Sequence, residues 1–262
     1  MLKTRIITSV VSLAIIGVVL FAIPPYFAEI FIGALIVAGA WEWSGFLVSP
    51  STSSRSVFTG LVALAVVLLP SFGPAVIIMV LGVACLWWFA AFLWTLRFPT
   101  PIPQALRWIC GFLVLVPLYL ALLVLFRMGP WHLLAVMLIV WAADAGAYFA
   151  GKQFGRVKLA PSISPGKTWE GVIGGLLLVA LVALTAGSYL GLKVAVLVPF
   201  CLSVAAISIV GDLTVSMFKR TVGVKDSGTL FPGHGGVLDR IDSVAAAAPF
   251  FVLGLTALGM TA

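Results

Sequence analysis

The residues of this chain that could do chemistry gather between Asp212 and Ser243. Of eight acidic residues in the sequence, Asp212, Asp226, Asp239 and Asp242 lie there, together with Lys219, Arg220, Lys225, Arg240 and a Gly-His-Gly-Gly turn. Ser216, Lys219 and Arg220 follow Asp212 at i+4, i+7 and i+8, which puts the four on one face of a helix. Asp239 and Asp242, three apart, likewise point one way. A second polar segment, Asp144 to Gly171, adds Asp144, Lys152, Arg156, Lys158 and Lys167. Carboxylates brought together repel one another, and a divalent cation relieves that conflict. Oxygen ligands without clustered Cys or His favour Mg²⁺ over Zn²⁺. Cations around a bound metal suit a polyphosphate, whose charge they share with it. Gly233, Gly235 and Gly236 allow close backbone approach and offer amide donors to phosphate, and His234 between them either binds phosphate or shapes the turn. The competing reading pairs the aspartates with Lys219, Arg220 and Arg240 as structural salt bridges, and Asp226 with Lys225.

The elements that must position these groups are membrane spans. The chain has 262 residues, 63% hydrophobic and 9% charged, against about 45–50% and about 25% in an ordinary soluble chain. Apolar runs of roughly 20 residues recur, each long enough to cross a hydrocarbon core of about 30 Å. Hydropathy predicts nine spans, at 6–23, 26–47, 57–70, 73–95, 105–126, 130–150, 170–190, 194–217 and 243–260. The fold class expected is therefore all-α, a polytopic membrane protein. Residues 1–128 form about five N-terminal spans. Residues 129–262 form a catalytic region with cytoplasmic loops at 151–169 and 218–242. The first span outlasts a signal-peptide core and no small-residue cleavage site follows it, so it is read as retained.

With the N-terminus inside and the C-terminus outside, thirteen of the fifteen Lys and Arg fall on the cytoplasmic side, and only Arg127 and Lys193 outside. That asymmetry follows the positive-inside rule and accounts for the +7 charge without nucleic acid. It puts both polar segments on one membrane face. An ionised Asp at a helix centre costs about 2.5–3.5 kcal/mol, so Asp144 and Asp212 must face a partner or a wet cavity. Trp41, Trp43, Trp87, Trp94, Trp108, Trp131 and Trp169 read as an interfacial belt. Glu42, between two Trp near an inner span end, is expected to reach the interface. Cys85, Cys110 and Cys201 sit in apolar surroundings without metal-ligand spacing and read as small hydrophobes. Ser164 to Thr168 mimics the end of a Walker A loop. Pro161 stands where that motif needs Gly, and a membrane helix precedes it instead of a strand.

Ser216-Met-Phe-Lys219-Arg220, Lys225-Asp226, His234-Gly235-Gly236 and Asp239-Arg240-Ile-Asp242 resemble the signature of the phosphatidate cytidylyltransferase, or CDP-diacylglycerol synthase, family. Asp144 to Tyr148, Gly151-Lys152, Gly155-Arg156, and Ile163-Ser164-Pro165 through Lys167 to Gly171 are similar to it as well. The resemblance implies Mg²⁺-dependent transfer of CMP from CTP to phosphatidate, a second metal ion in the same site, and a homodimer. It makes Asp212 and Asp239 metal ligands, with Asp242 and Asp144 as further ligands or support. Lys219, Arg220, Arg240 and Lys225 hold phosphates and Ser216 bonds one of them. Ser164, Lys167 and Tyr148 belong to the segment that covers the nucleotide or headgroup. The expected setting is a bacterial inner (plasma) membrane with the site on its cytoplasmic side. The rivals are a CTP-dependent kinase of a polyprenol or phytol hydroxyl, a transporter of a phosphorylated metabolite, and a prenyl transferase. A transporter would hold its polar groups near the bilayer midplane.

Overall fold

The computed structural model describes residues 2–47, 51–230 and 235–259. Nine α-helices run through them: α1 (Leu2–Phe21), α2 (Pro25–Trp43), α3 (Thr52–Leu68), α4 (Pro74–Thr95), α5 (Gln104–Met128), α6 (Pro130–Phe154), α7 (Trp169–Leu190), α8 (Val194–Thr221) and α9 (Leu238–Ala257). From α2 onward, eight are long and apolar enough to cross a membrane. Large apolar side chains such as Leu86, Phe89 and Leu177 lie exposed on their outer faces, as lipid-facing surfaces require. The protein is an all-α polytopic membrane protein carrying one small antiparallel hairpin, β1 (Lys158–Ala160) and β2 (Ser164–Thr168).

Small residues set how closely the helices approach. In lipid there is little hydrophobic drive between helices, so close contact of small side chains substitutes for it. At the α6–α7 crossing, a Cβ on Gly146 would stand 2.6 Å from the Gly174 carbonyl oxygen and 2.9 Å from the Gly175 Cα. Gly146→Ala is therefore expected to cost about 1–3 kcal/mol through overpacking, seen as a lower melting temperature in detergent. Gly82→Ala in α4, where a Cβ would meet nothing within 4 Å, should leave it unchanged. The other tight pair is α8–α9, where a Cβ on Gly211 would collide with the Asp242 carbonyl oxygen. The small run Ala245–Ala248 of α9 is fully buried, and α9 packs on α4, α5, α6 and α2 as well as on α8.

Three element limits differ from the hydropathy reading. Helix α9 starts at Leu238, five residues before the expected span, because the charged first turn at Asp239, Arg240 and Asp242 hides it from a hydropathy window. Helix α3 starts at Thr52, where the Ser51 hydroxyl oxygen caps it by accepting from the Ser54 N–H at 3.1 Å. Helix α6 continues to Phe154, so the expected loop at 151–169 begins as helix and then folds into the hairpin. Trp43 is no belt residue. It is fully buried, its indole N–H donates to the Arg107 carbonyl at 2.9 Å, and its ring lies 4.8 Å from that of Phe218. Trp41, Trp131 and Trp169 stay exposed. Cys85, Cys110 and Cys201 are free thiols.

Candidate active site

The site forms where the C-terminal end of α8, the N-terminal end of α9 and the lower half of α6 meet. Helix α8 keeps its 3.6-residue period to Thr221, so Asp212, Ser216 and Lys219 do share a face. The Ser216 hydroxyl donates to Asp212 Oδ1 at 3.1 Å, and Lys167 Nζ from β2 reaches Asp212 Oδ2 at 2.6 Å. The hairpin is thereby pinned to α8. Thr168 ends β2 and caps α7, its hydroxyl oxygen accepting from the Gly171 N–H at 3.1 Å.

Lys219 is buried, with its ammonium 2.7 Å from Asp239 Oδ1 and 4.0 Å from Asp242 Oδ2. Asp239 Oδ2 accepts the Ser227 N–H at 2.8 Å, the Ser227 hydroxyl at 2.9 Å and the Gly236 N–H at 2.9 Å. This carboxylate, expected chiefly as a metal ligand, organises the loop between α8 and α9. Gly235 adopts φ +80° beside it, a conformation that glycine alone takes readily. Asp242 Oδ1 accepts from the Ser243 N–H at 2.8 Å. Among the described residues no hydrogen bond or ion pair holds the Asp144 carboxylate. Nor is any group of three or more His, Cys, Asp or Glu close enough to hold a metal as they stand. Lys167 pairs with Asp212, and Lys219 with Asp239 and Asp242.

A cavity of about 350 Å³ opens beside this cluster between α6, α7 and β2, lined by Asp144, Tyr148, Lys152, Lys167 and Thr168. Its volume lies at the lower end of the range for small-molecule sites, roughly 300–1,000 Å³. Ser164 sits at the start of β2, opposite Ala160 in the register, and Tyr148 is exposed with the Lys152 ammonium 5.7 Å from its ring. Arg220, expected to grip phosphate, braces backbone. Its Nε donates to the Ile163 carbonyl at 2.9 Å and its guanidinium to the Val224 carbonyl at 3.0 Å. Lys225 and Asp226 are exposed on the loop, and Arg240 is exposed in the first turn of α9. His234 and Gly233 lie outside the described residues.

Sequence reasoning missed Glu42. It is 9% exposed instead of interfacial, and its carboxylate accepts the Ser227 hydroxyl at 2.9 Å, the Val237 N–H at 3.0 Å and the Leu238 N–H at 2.8 Å. The one available signal was an acid in the apolar span, which is costly to insert and needs a partner.

The chain is similar to known proteins over almost its whole length. The model of the Cytidylyltransferase family matches residues 3–258. The phosphatidate cytidylyltransferase of Pseudomonas aeruginosa is 43% identical, over 99% of this chain and 98% of its own length. That of Haemophilus influenzae is 37% identical, over 96% and 97% respectively. The enzyme of the same name from Rickettsia bellii is 39% identical over 55% of this chain and 68% of its own. With the match covering almost every residue from the first helix to the last, this chain belongs to the cytidylyltransferase family.

Proposed function

We propose that this protein transfers CMP from CTP to phosphatidate, giving CDP-diacylglycerol and pyrophosphate. The observation that carries the reading is the buried cluster Asp239–Lys219–Asp242 at the adjoining ends of two apolar helices, with the half-buried Lys167–Asp212 pair beside it. Charges at that depth need a function to justify their desolvation. The two relatives that match nearly full length carry this activity in their names. A phosphate oxygen of the lipid attacks the α-phosphorus of CTP, the bond from that phosphorus to the β-bridging oxygen breaks, and pyrophosphate leaves with the electron pair. The nucleophile is already ionised, so catalysis reduces to positioning and charge neutralisation. Lys167, Lys219 and Arg240 neutralise phosphate charge. Lys152 and Tyr148 line the approach from the cavity, and Ser164 and the hairpin cover it. Gly235, Gly236 and His234 supply the turn against the phosphates, with Lys225 and Arg220 at its edge.

The carboxylates are the right ligand type for a divalent cation held by oxygen, although among the described residues they do not converge on one point as they stand. Asp144 and one oxygen of Asp242 are free of hydrogen bonds among the described residues. Mg²⁺ would be held by Asp212 and Asp242, with Asp144 beside them. Asp239, whose carboxylate pairs with Lys219, would be a further ligand. When bound, the ion, with a second in the same site, supplies charge to the triphosphate. The reading extends to nine spans, with the N-terminus and the site on the cytoplasmic side of a bacterial inner membrane. Thirteen of fifteen basic residues on that side support it. Residues 129–262 carry the chemistry, helices within 1–128 brace it, and two copies form a homodimer.

Purified protein given phosphatidate, Mg²⁺ and CTP labelled separately at α and γ tests the reaction. Label from the α position is expected in lipid with pyrophosphate released, stopped by a chelator and restored by Mg²⁺. Label from γ in a polyprenol acceptor would replace this reading by a kinase, and no transfer to any acceptor would remove it.

A further inference from the structure

The N-terminal half of the chain sends one carboxylate into the site. Glu42 lies in the last turn of α2, and the final residue, Trp43, is locked by burial and by its bond to the Arg107 carbonyl at 2.9 Å. That anchor fixes the rotation of the helix end and therefore the direction of Glu42. Its two oxygens accept the Val237 and Leu238 N–H groups, which belong to the orphan donors of the start of α9. A carboxylate there meets both the donors and the positive end of the helix. The Ser227 hydroxyl lies 2.9 Å from Glu42 Oε2 and 2.9 Å from Asp239 Oδ2, so its one proton is shared between the two acids. Added Cβ atoms on Gly228 and Gly236 would both collide with the Glu42 carboxylate. The loop is thus wrapped around this group at van der Waals distance from both of its ends.

We propose that Glu42 is a positioning residue for the transfer reaction: it fixes Ser227 and Gly228 on one side and Gly236 to Leu238, with the first turn of α9, on the other, and so the orientation of Asp239, Arg240 and Asp242. The assignment rests on the cytidylyltransferase reading, in which those three residues act on the nucleotide. Glu42 itself lies behind the loop and acts through it. Charge-assisted bonds to buried amides are stronger than neutral ones, and a replacement amide turns a donor toward donors.

Glu42→Gln preserves shape and removes the charge. It is expected to lower kcat by about a hundredfold, the scale of an ångström-sized misplacement, with KM for CTP changed far less. Amide hydrogen exchange should quicken about tenfold in residues 224–238 while α4 and the membrane half of α8 stay protected. Ser227→Ala, which removes only the bridging hydroxyl, should move both readouts the same way by less. Wild-type kcat in Glu42→Gln overturns the proposal, and so does slowed turnover with unchanged loop exchange. Exchange rising equally in every helix also overturns it, since Glu42 would then be merely structural. If the wild-type protein forms no CDP-diacylglycerol, the functional reading fails, while the exchange measurement still decides whether Glu42 holds the loop.

Discussion

Asp239→Asn is expected to remain folded and to lose at least about a thousandfold in turnover, the upper range for deleting one preorganised electrostatic group. In the structure this carboxylate accepts from Lys219 and from the Ser227 and Gly236 N–H groups, and shares the Ser227 hydroxyl with Glu42. An amide offers one oxygen in place of two and sets an NH₂ against either the Lys219 ammonium or the Ser227 and Gly236 N–H groups. Either orientation leaves a buried donor unmatched, a cost of about 1–3 kcal/mol. It also leaves Lys219 with Asp242 at 4.0 Å as its remaining carboxylate. The packing of α9 through Ala245–Ala248 lies beyond the first turn, so the fold should survive. The measurement is α-labelled CMP transfer beside a melting curve. Activity within tenfold of wild type, with the protein folded, would remove Asp239 from the site.

Lys219→Met should damage activity and stability together. The ammonium lies between two carboxylates whose side chains are themselves about nine-tenths buried or more. Removing one member of a buried ionic cluster costs about 3–5 kcal/mol, because the remaining charges are left uncompensated. Turnover should fall about a hundredfold or more, as for loss of other phosphate-neutralising groups. A thermal melt in detergent reads the first effect and the transfer assay the second. Lys225→Met serves as the stability control. Lys225 is exposed on the loop, and surface changes of this kind stay within about 0.5 kcal/mol. Equal melting temperatures for the two variants would mean that Lys219 is not holding the carboxylates.

The parts of the site that the sequence revealed are those built by helical periodicity. Asp212, Ser216 and Lys219 share a face because 3.6 residues per turn put them there, and no tertiary contact is needed to see it. The membrane class follows from composition. A charged first turn is invisible to hydropathy, so the expected span begins at 243, although the spacing of Asp239 and Asp242 already puts both on one helical face. Arg220 was read from its neighbours as a phosphate ligand, but the carbonyls it meets at Ile163 and Val224 come from the hairpin turn and the following loop.

The sequence by itself determined that the chain is a bundle of apolar helices. It also determined that its charges crowd one stretch and that this stretch resembles a cytidylyltransferase signature. Hydrophobicity, period and composition are local quantities, legible residue by residue. Only the tertiary structure decided which charges meet. Lys167 finds Asp212 across the hairpin, and Glu42 finds Val237 and Leu238 from 195 and 196 residues away. Such pairings depend on which helices pack together, and that depends on small residues such as Gly146, Gly174 and Gly211 allowing close approach. A buried acid in an apolar helix announces that it needs a partner, and the packing of the bundle chooses which one.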